Sequence, residues 1–286
     1  MLTPSVPELL PIAFIGHGSP MNAIERNRYT EAWRTLGGLT VKPRAILVVS
    51  AHWYVGTTAV TTARQPRTIH DFQGFPAELA RYDYPAPGMP ELAIEVADLI
   101  SPDIVLEGDA SWGLDHGTWS VLTHAFPKAD VPVVQLSINA NQPAQYHLDL
   151  GRKLHALRRS GVLVVGSGNT VHNLGAVDFH APNGAYPWAR AFNEKVIESV
   201  CRAPGNAAGL VRHADFWKAA PTPEHFLPLL YIAGMAAEAR QSLEVLVDGY
   251  TYGSLAMTSF VSSAAGTLPP QGKTLPGSAS LGETRG

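Results

Sequence analysis

The chain has 286 residues, 45% of them hydrophobic and 16% charged, with a formal net charge of −3. That apolar fraction can fill a sizeable core and excludes a disordered chain, and the length fits one large α/β unit better than two domains. The chain has no block of like charge to serve as an electrostatic footprint for nucleic acid. Its single cysteine, Cys201, cannot build a disulfide framework or a cysteine-based zinc ribbon, and no apolar run reaches the ~18 residues of a membrane span.

In chain order, Ile12–Ile15 is a short apolar run entering the turn Gly16-His17-Gly18. The stretch before it has no positively charged region, so it reads as a first strand and not as a signal peptide, and the chain is expected to work in the cytoplasm. Asn22–Leu36 has helical character. Arg44–Ser50 and Thr57–Thr62 read as strands, Pro90–Ile100 as an amphipathic helix behind a Pro/Gly turn, and Ile104–Leu106 as a short strand. Trp119–Phe126 reads as a helix, Val131–Ile138 as a strand, Pro143–Arg159 as a long helix, and Gly161–Val165 as a strand running into Gly166-Ser167-Gly168. Trp188–Val200 and Glu224–Ala239 read as helices, and Leu243–Val247 and Ser254–Phe260 as a closing pair of strands.

Continuous apolar strands alternating with helices predict an α/β domain whose mostly parallel or mixed sheet is covered on both faces. Residues 262–286 hold five Gly, three Pro, four Ser and no aromatic residue. They are expected to form a flexible tail after a catalytic domain spanning 1–261.

Histidine, with 11 residues, is the informative count. Imidazole titrates near neutrality and is the commonest metal ligand. His17, His52 and His172 each follow a predicted buried strand, so parallel strands would bring all three to one rim, where ligands of such sheets collect. His225 opens a predicted helix behind Thr222 and Pro223. His116 lies in a glycine-flanked loop between Trp112 and Trp119 and is otherwise readable as a surface histidine stacked on one of them. His70 sits in an aromatic loop; His147 and His155 fall on the polar side of a helix and are expected to be solvated.

Other motifs fail on inspection. Gly16-His17-Gly18 lacks the third glycine of a dinucleotide fingerprint, there is no phosphate-binding GxxxxGK[ST] or HExxH, and Gly166-Ser167-Gly168 does not fit G-x-S-x-G. Histidines from separate strand ends suit a mononuclear metal site. An all-histidine set leans to zinc, and two histidines with a carboxylate lean to non-haem Fe(II) and O2 chemistry; with Glu224 beside His225, the third ligand is open between them. Trp53, Phe72, Phe75, Trp112, Trp119, Tyr186 and Trp188 suit a flat aromatic substrate. No Arg or Lys in the segments nearest these histidines marks a carboxylate pocket; Arg26, Arg28 and Arg81 are the nearest in sequence.

Nine blocks, GHGSPMNA, VVSAHW, IHDFQGFP, YPAPG, WGLDHGTW, VQLSI, SGNTVHN, YPWA and TPEHFLPLLY, stand in this order between Ile12 and Phe260. Together they resemble the 4,5-DOPA dioxygenase extradiol group of the class III extradiol ring-cleaving dioxygenases. The resemblance implies a single α/β domain with one divalent metal, held by His17, His52 and His225, with His172 as a further ligand or the catalytic base and His116 as the acid. It also implies a small aromatic diol and O2 as substrates, a muconic semialdehyde as product, zinc in isolated material and Fe(II) for turnover. The alternative is a zinc hydrolase in which the same histidines activate water, with Asp115 or Glu224 as base. A non-enzymatic metal-binding protein is disfavoured because it needs neither His116 nor His172.

Overall fold

The computed structural model describes residues 9–38, 41–101, 105–107 and 112–262. Its strands and helices run β1 (Ile12–Gly16), α1 (Arg28–Arg34), β2 (Ala45–Val55), β3 (Thr58–Val60), α2 (Ala77–Ala80), α3 (Pro90–Ile100), β4 (Val105–Glu107), α4 (His116–Ala125) and β5 (Val133–Asn139). There follow α5 (Ala144–Leu154), β6 (Val162–Gly168), α6 (Pro187–Arg202), α7 (Phe216–Ala219), α8 (Leu227–Glu238), β7 (Glu244–Val247), β8 (Tyr250–Thr251), β9 (Leu255–Ala256) and β10 (Ser259–Val261). Eight strands form one sheet in the order β4-β3-β5-β2-β6-β1-β10-β7, while β8 and β9 pair as a separate hairpin. The central block β5-β2-β6-β1 is parallel, and β3 and β10 run antiparallel on its two sides. This is the mixed sheet that the sequence predicts.

The central strands β1, β2, β5 and β6 are buried on both faces over most of their length, as their continuous apolar runs require. Alternation along β1 sends Ile12 and Phe14 into a core with α3, α5, α6 and α8, and Ala13 and Ile15 into a second core with α1 and α4. Helix α8 is buried from Leu227 to Ala236, as expected of a helix that is apolar all round. On β10's edge, Ser262 is also buried. Its N–H donates to the Ile12 carbonyl at 3.0 Å and its Oγ accepts from Ile12 N–H at 3.2 Å. Ile104 and residues 263–286, which make up most of the predicted tail, lie outside the described residues.

Several boundaries depart from the sequence reading, each for a local reason. The segment Asn22–Leu36 splits into two short 3-10 turns around α1, because Asn27 caps α1 through Tyr29 and Thr30 N–H in a reciprocal capping box. Strand β2 does not stop at Ser50. It continues to Val55 through a bulge in which Val49 pairs with Leu136 and Tyr54 with Ile138, leaving His52 inside the irregular stretch. His116 is not in a loop. Asp115 accepts from Thr118 N–H at 3.1 Å and starts α4 there, so His116 is the helix's first residue. Ser254–Phe260 is divided between β9 and β10. His147 is not solvated. Its face of α5 packs on α8, and the ring is fully buried with Nδ1 2.9 Å from the Tyr231 hydroxyl.

Candidate metal centre

The carboxyl ends of β1, β2 and β6 lie side by side, and five histidines converge there from five parts of the chain. His17 follows β1; its N–H donates to the Gly168 carbonyl at 3.1 Å and extends the β1–β6 ladder. His52 projects from the bulge of β2. His116 opens α4. His172 follows β6, with its N–H on the Ala219 carbonyl at 2.8 Å. His225 ends the 3-10 turn before α8, and its carbonyl accepts from Asn169 N–H at 2.9 Å, which ties that turn to the end of β6. Gly18 makes the sharp exit from β1 possible with φ +60°, a conformation that a side chain would strain.

Four of these rings are held from behind by Nδ1. Asp71 Oδ2 lies 3.0 Å from His52 Nδ1, and Asp71 Oδ1 lies 2.9 Å from His116 Nδ1. Glu224 Oε1 lies 3.0 Å from His225 Nδ1 and also accepts from Thr222 Oγ1 at 2.8 Å. Ser167 Oγ lies 3.0 Å from His17 Nδ1 and donates its own proton to the Gly117 carbonyl at 2.5 Å. The serine therefore accepts from His17, and carboxylates accept from the other three. All four Nδ1 atoms carry the proton, and all four Nε2 atoms are left with lone pairs directed inward. His172 is held differently, by a parallel stack on His225 with centroids 3.5 Å apart.

The inward lone pairs explain the electrostatics. His17 and His225 are fully buried. Burial first, and then the neighbouring imidazoles, hold both far below the ordinary histidine range. His172 is brought down to about 4 by burial and by His52 and His116. His116 is lowered by burial and by His52, against the pull of Asp71. His52 is the exception. Burial lowers it, but the bond to Asp71 and the charges of Asp115, Asp71 and Glu224 outweigh burial and raise it.

The donor set fits a metal ion. His17 Nε2 and His52 Nε2 face each other 3.1 Å apart, close enough to share a proton or a metal ion between them. The separation is near the ~3.3 Å between two ligands of a tetrahedral ion at ~2.05 Å. The ligand atoms of His17, His52 and His116 lie within 4.8 Å of one another, as do those of His172, Glu224 and His225. The two groups divide the sequence-based set of His17, His52, His172 and His225 between them, and His225 joins them, its ring centroid 5.4 Å from His17, 5.1 Å from His52 and 3.5 Å from His172. The structure adds His116 directly beside His52, with ring centroids 3.9 Å apart. Glu224 Oε1 is engaged by Thr222 and His225.

A cavity of about 460 Å³ opens over the cluster. Of the aromatic residues that the sequence points to, Phe72 and Phe75 line it. Trp53 and Trp119 are core residues instead; Trp53 stacks on Trp112, and Tyr186 stacks on Trp188. His70 stays outside the cluster, bonded to the Tyr82 carbonyl. The residue that sequence reasoning misses is Asp71, which lies in the block IHDFQGFP directly after His70. No helix among the described residues is long and apolar enough to cross a membrane.

Residues 13–261 match the family model described as the catalytic LigB subunit of aromatic ring-opening dioxygenase. The chain is 45% identical over 268 residues to a 4,5-DOPA dioxygenase extradiol of Escherichia coli K12, covering 90% of this chain and 98% of that one. It is 37% identical to a Beta vulgaris protein of the same name, covering 86% and 96%. A crystal structure of an uncharacterized Escherichia coli K12 protein superimposes with a TM-score of 0.77 at 41% identity, covering 88% of this chain and 99% of that one. The comparisons give the hydrolase alternative no support. The match covers all of the sheet but its first residue, Ile12, and every histidine of the cluster, and the chain belongs to the LigB family of extradiol aromatic ring-opening dioxygenases.

Proposed function

We propose that this dioxygenase cleaves a catechol beside its diol, as in the 4,5-cleavage of DOPA, with both atoms of O2 entering a muconic semialdehyde. The observation that carries the reading is the convergence of four histidines, each held through Nδ1 so that Nε2 faces inward, at the floor of a cavity walled by Phe72 and Phe75. His17, His52 and His225 would hold one divalent metal, with His172 as a further ligand or a base. Fe(II) suits turnover because it shares electrons with a catecholate and dioxygen. Zinc, a d10 ion without redox chemistry, suits occupancy in isolated material.

The chain's own residues supply the proton chemistry. His172, neutral at pH 7 with a pKa near 4 and bordering the cavity, can take a proton from a catechol hydroxyl at a ring nitrogen. His116 presents Nε2 to the same space and, once it has taken up a proton there, is set to return that proton to the opening ring. Asp71 behind it stabilises the charged imidazole from which that proton leaves. The aromatic walls exclude water and orient a flat ring. The single Cys201, with no cysteine to pair with, fits a reducing compartment, and we place the enzyme in the cytoplasm.

The test is oxygen uptake by the Fe(II)-loaded protein over a panel of catechols, with the yellow ring-opened product followed by absorbance. Equimolar oxygen consumption and product formation are expected. Hydrolysis of an ester with no oxygen uptake on any catechol would overturn the reading.

A further inference from the structure

The proposed reaction fixes the diol end of the substrate, and the outer wall of the same cavity carries information about the other end. At about 460 Å³ the cavity is in the range that encloses a drug-sized ligand, larger than a bare catechol needs. Its polar side chains are concentrated at the floor, in the five histidines and Asp71. Beyond them the wall is built by Met21, Phe72, Phe75, Leu174, Phe179 and Tyr252. No Arg or Lys is among the described residues that line it. Of the two polar side chains on the outer wall, Ser19 Oγ accepts from Met21 N–H at 3.2 Å and the other is Tyr252; both are neutral hydroxyls and neither brings a positive charge to a carboxylate.

The rim is a built feature. Leu174 and Phe179 are 66% and 77% exposed, among the largest apolar exposures of the described molecule, and both stand at this cavity. Apolar side chains left in water around a cavity mark a surface that a ligand covers. Tyr252 takes a left-handed φ of +54°, which is costly for a bulky residue. Its carbonyl accepts from Asp178 N–H at 2.9 Å, and its ring meets Phe179 at 5.3 Å. The β8–β9 turn thus holds an aromatic ring at the mouth against local backbone preference.

We infer that the preferred substrate is a catechol bearing an uncharged, apolar substituent, in preference to one bearing a carboxylate or an amino-acid tail. The inference rests on the catechol reading above. A carboxylate on that tail would meet no cation on the described wall and would share the cavity with the Asp71 carboxylate. An alkyl or aryl tail would instead cover Leu174 and Phe179 and withdraw them from water.

The experiment compares 4-butylcatechol, unsubstituted catechol, 3-(3,4-dihydroxyphenyl)propionate and DOPA. Binding to the zinc-loaded protein is measured by calorimetry, and kcat/KM on the Fe(II)-loaded protein by oxygen uptake. We expect 4-butylcatechol to exceed DOPA by about tenfold or more in both measures, the scale on which a hydrophobic pocket discriminates. Leu174→Ala and Phe179→Ala should narrow that ratio, and Phe179→Arg should narrow it further by favouring the propionate. DOPA or the propionate equalling 4-butylcatechol in the unaltered protein overturns the inference. So does a butylcatechol preference that is the same in all three variants, since it would then come from the ligand and not from this wall. If no catechol is oxidised, the ring-cleavage reading fails, while the calorimetric order still decides what the wall prefers.

Discussion

Asp71 holds His116 through one carboxylate oxygen, Oδ1 to Nδ1 at 2.9 Å, and has its other oxygen 3.0 Å from Nδ1 of His52. One side chain therefore fixes the tautomer of both a proposed metal ligand and the proposed acid. Burial alone would raise the Asp71 carboxyl, but the two histidine bonds hold it far below the ordinary carboxylate range, so it is ionised throughout the working pH range. Asp71→Asn keeps one acceptor oxygen and loses the charge, so it can serve only one of the two rings. We expect metal affinity to fall by about 10–100-fold, the usual cost of losing a partner behind a ligating histidine. Chelator competition measures this. An unchanged affinity would show that His52 orients without Asp71.

His116 and His172 separate by readout. His116→Ala removes a ring that is hydrogen-bonded to Asp71 at the edge of a cavity. It should keep metal and melting temperature and lose about 10²–10⁴-fold in turnover, the range of general acid–base catalysis. For His172→Ala, loss of metal identifies a ligand, and loss of rate with full metal identifies a base. For comparison, His52→Ala should hold well under one metal per chain. Stoichiometric metal in that variant would remove His52 from the ligand set.

Gly117 gives a test that leaves every ionisable group in place. A Cβ there would lie 2.7 Å from Ser50 Oγ and 2.9 Å from His52 Cδ2, closer than packed atoms tolerate. Gly117→Ala should therefore push the His52 ring from its position and lower metal content, with the fold retained by circular dichroism. Full metal content would mean that the bulge of β2 yields without moving His52.

What the sequence makes legible follows from how locally each feature is encoded. His17, His52 and His172 announce themselves because apolar strands run directly into them, and the glycines around His17 mark sharp turns. The order of strands and helices is readable for the same reason. Asp71 has no such mark. It lies in a loop without periodicity, and its partners are 19 and 45 residues away, so only the folded chain shows that it serves two histidines; an acid beside His70 in an aromatic block is the one local hint. The β2 bulge is hidden because it is created by pairing with β5. Trp53 and Trp119 mislead because an aromatic residue next to a site residue in sequence can point into the core on the other side.

His147 shows the same limit and yields the last prediction. Periodicity assigns it to the polar side of α5, but α8 covers that side, and burial lowers its pKa to about 4 from the usual 6.5. The unfolded chain takes up a proton at this side chain as pH falls below 6.5, whereas the folded chain does not until near 4. The unfolded state therefore binds more protons in that window, and stability must fall as pH falls through it. Between pH 7.5 and pH 5 the loss attributable to His147 is about 2 kcal/mol. Of the cluster histidines, His17, His116, His172 and His225 act in the same direction and His52, whose pKa is raised, in the opposite one, so the comparison is made between the chelator-treated protein and its His147→Gln variant by urea denaturation at both pH values. We expect the variant to be less stable at pH 7.5, because the Tyr231 contact is altered, and to lose about 2 kcal/mol less than the parent on acidification. An identical loss in both proteins would show that His147 is protonated inside the folded chain and that its burial does not set its charge.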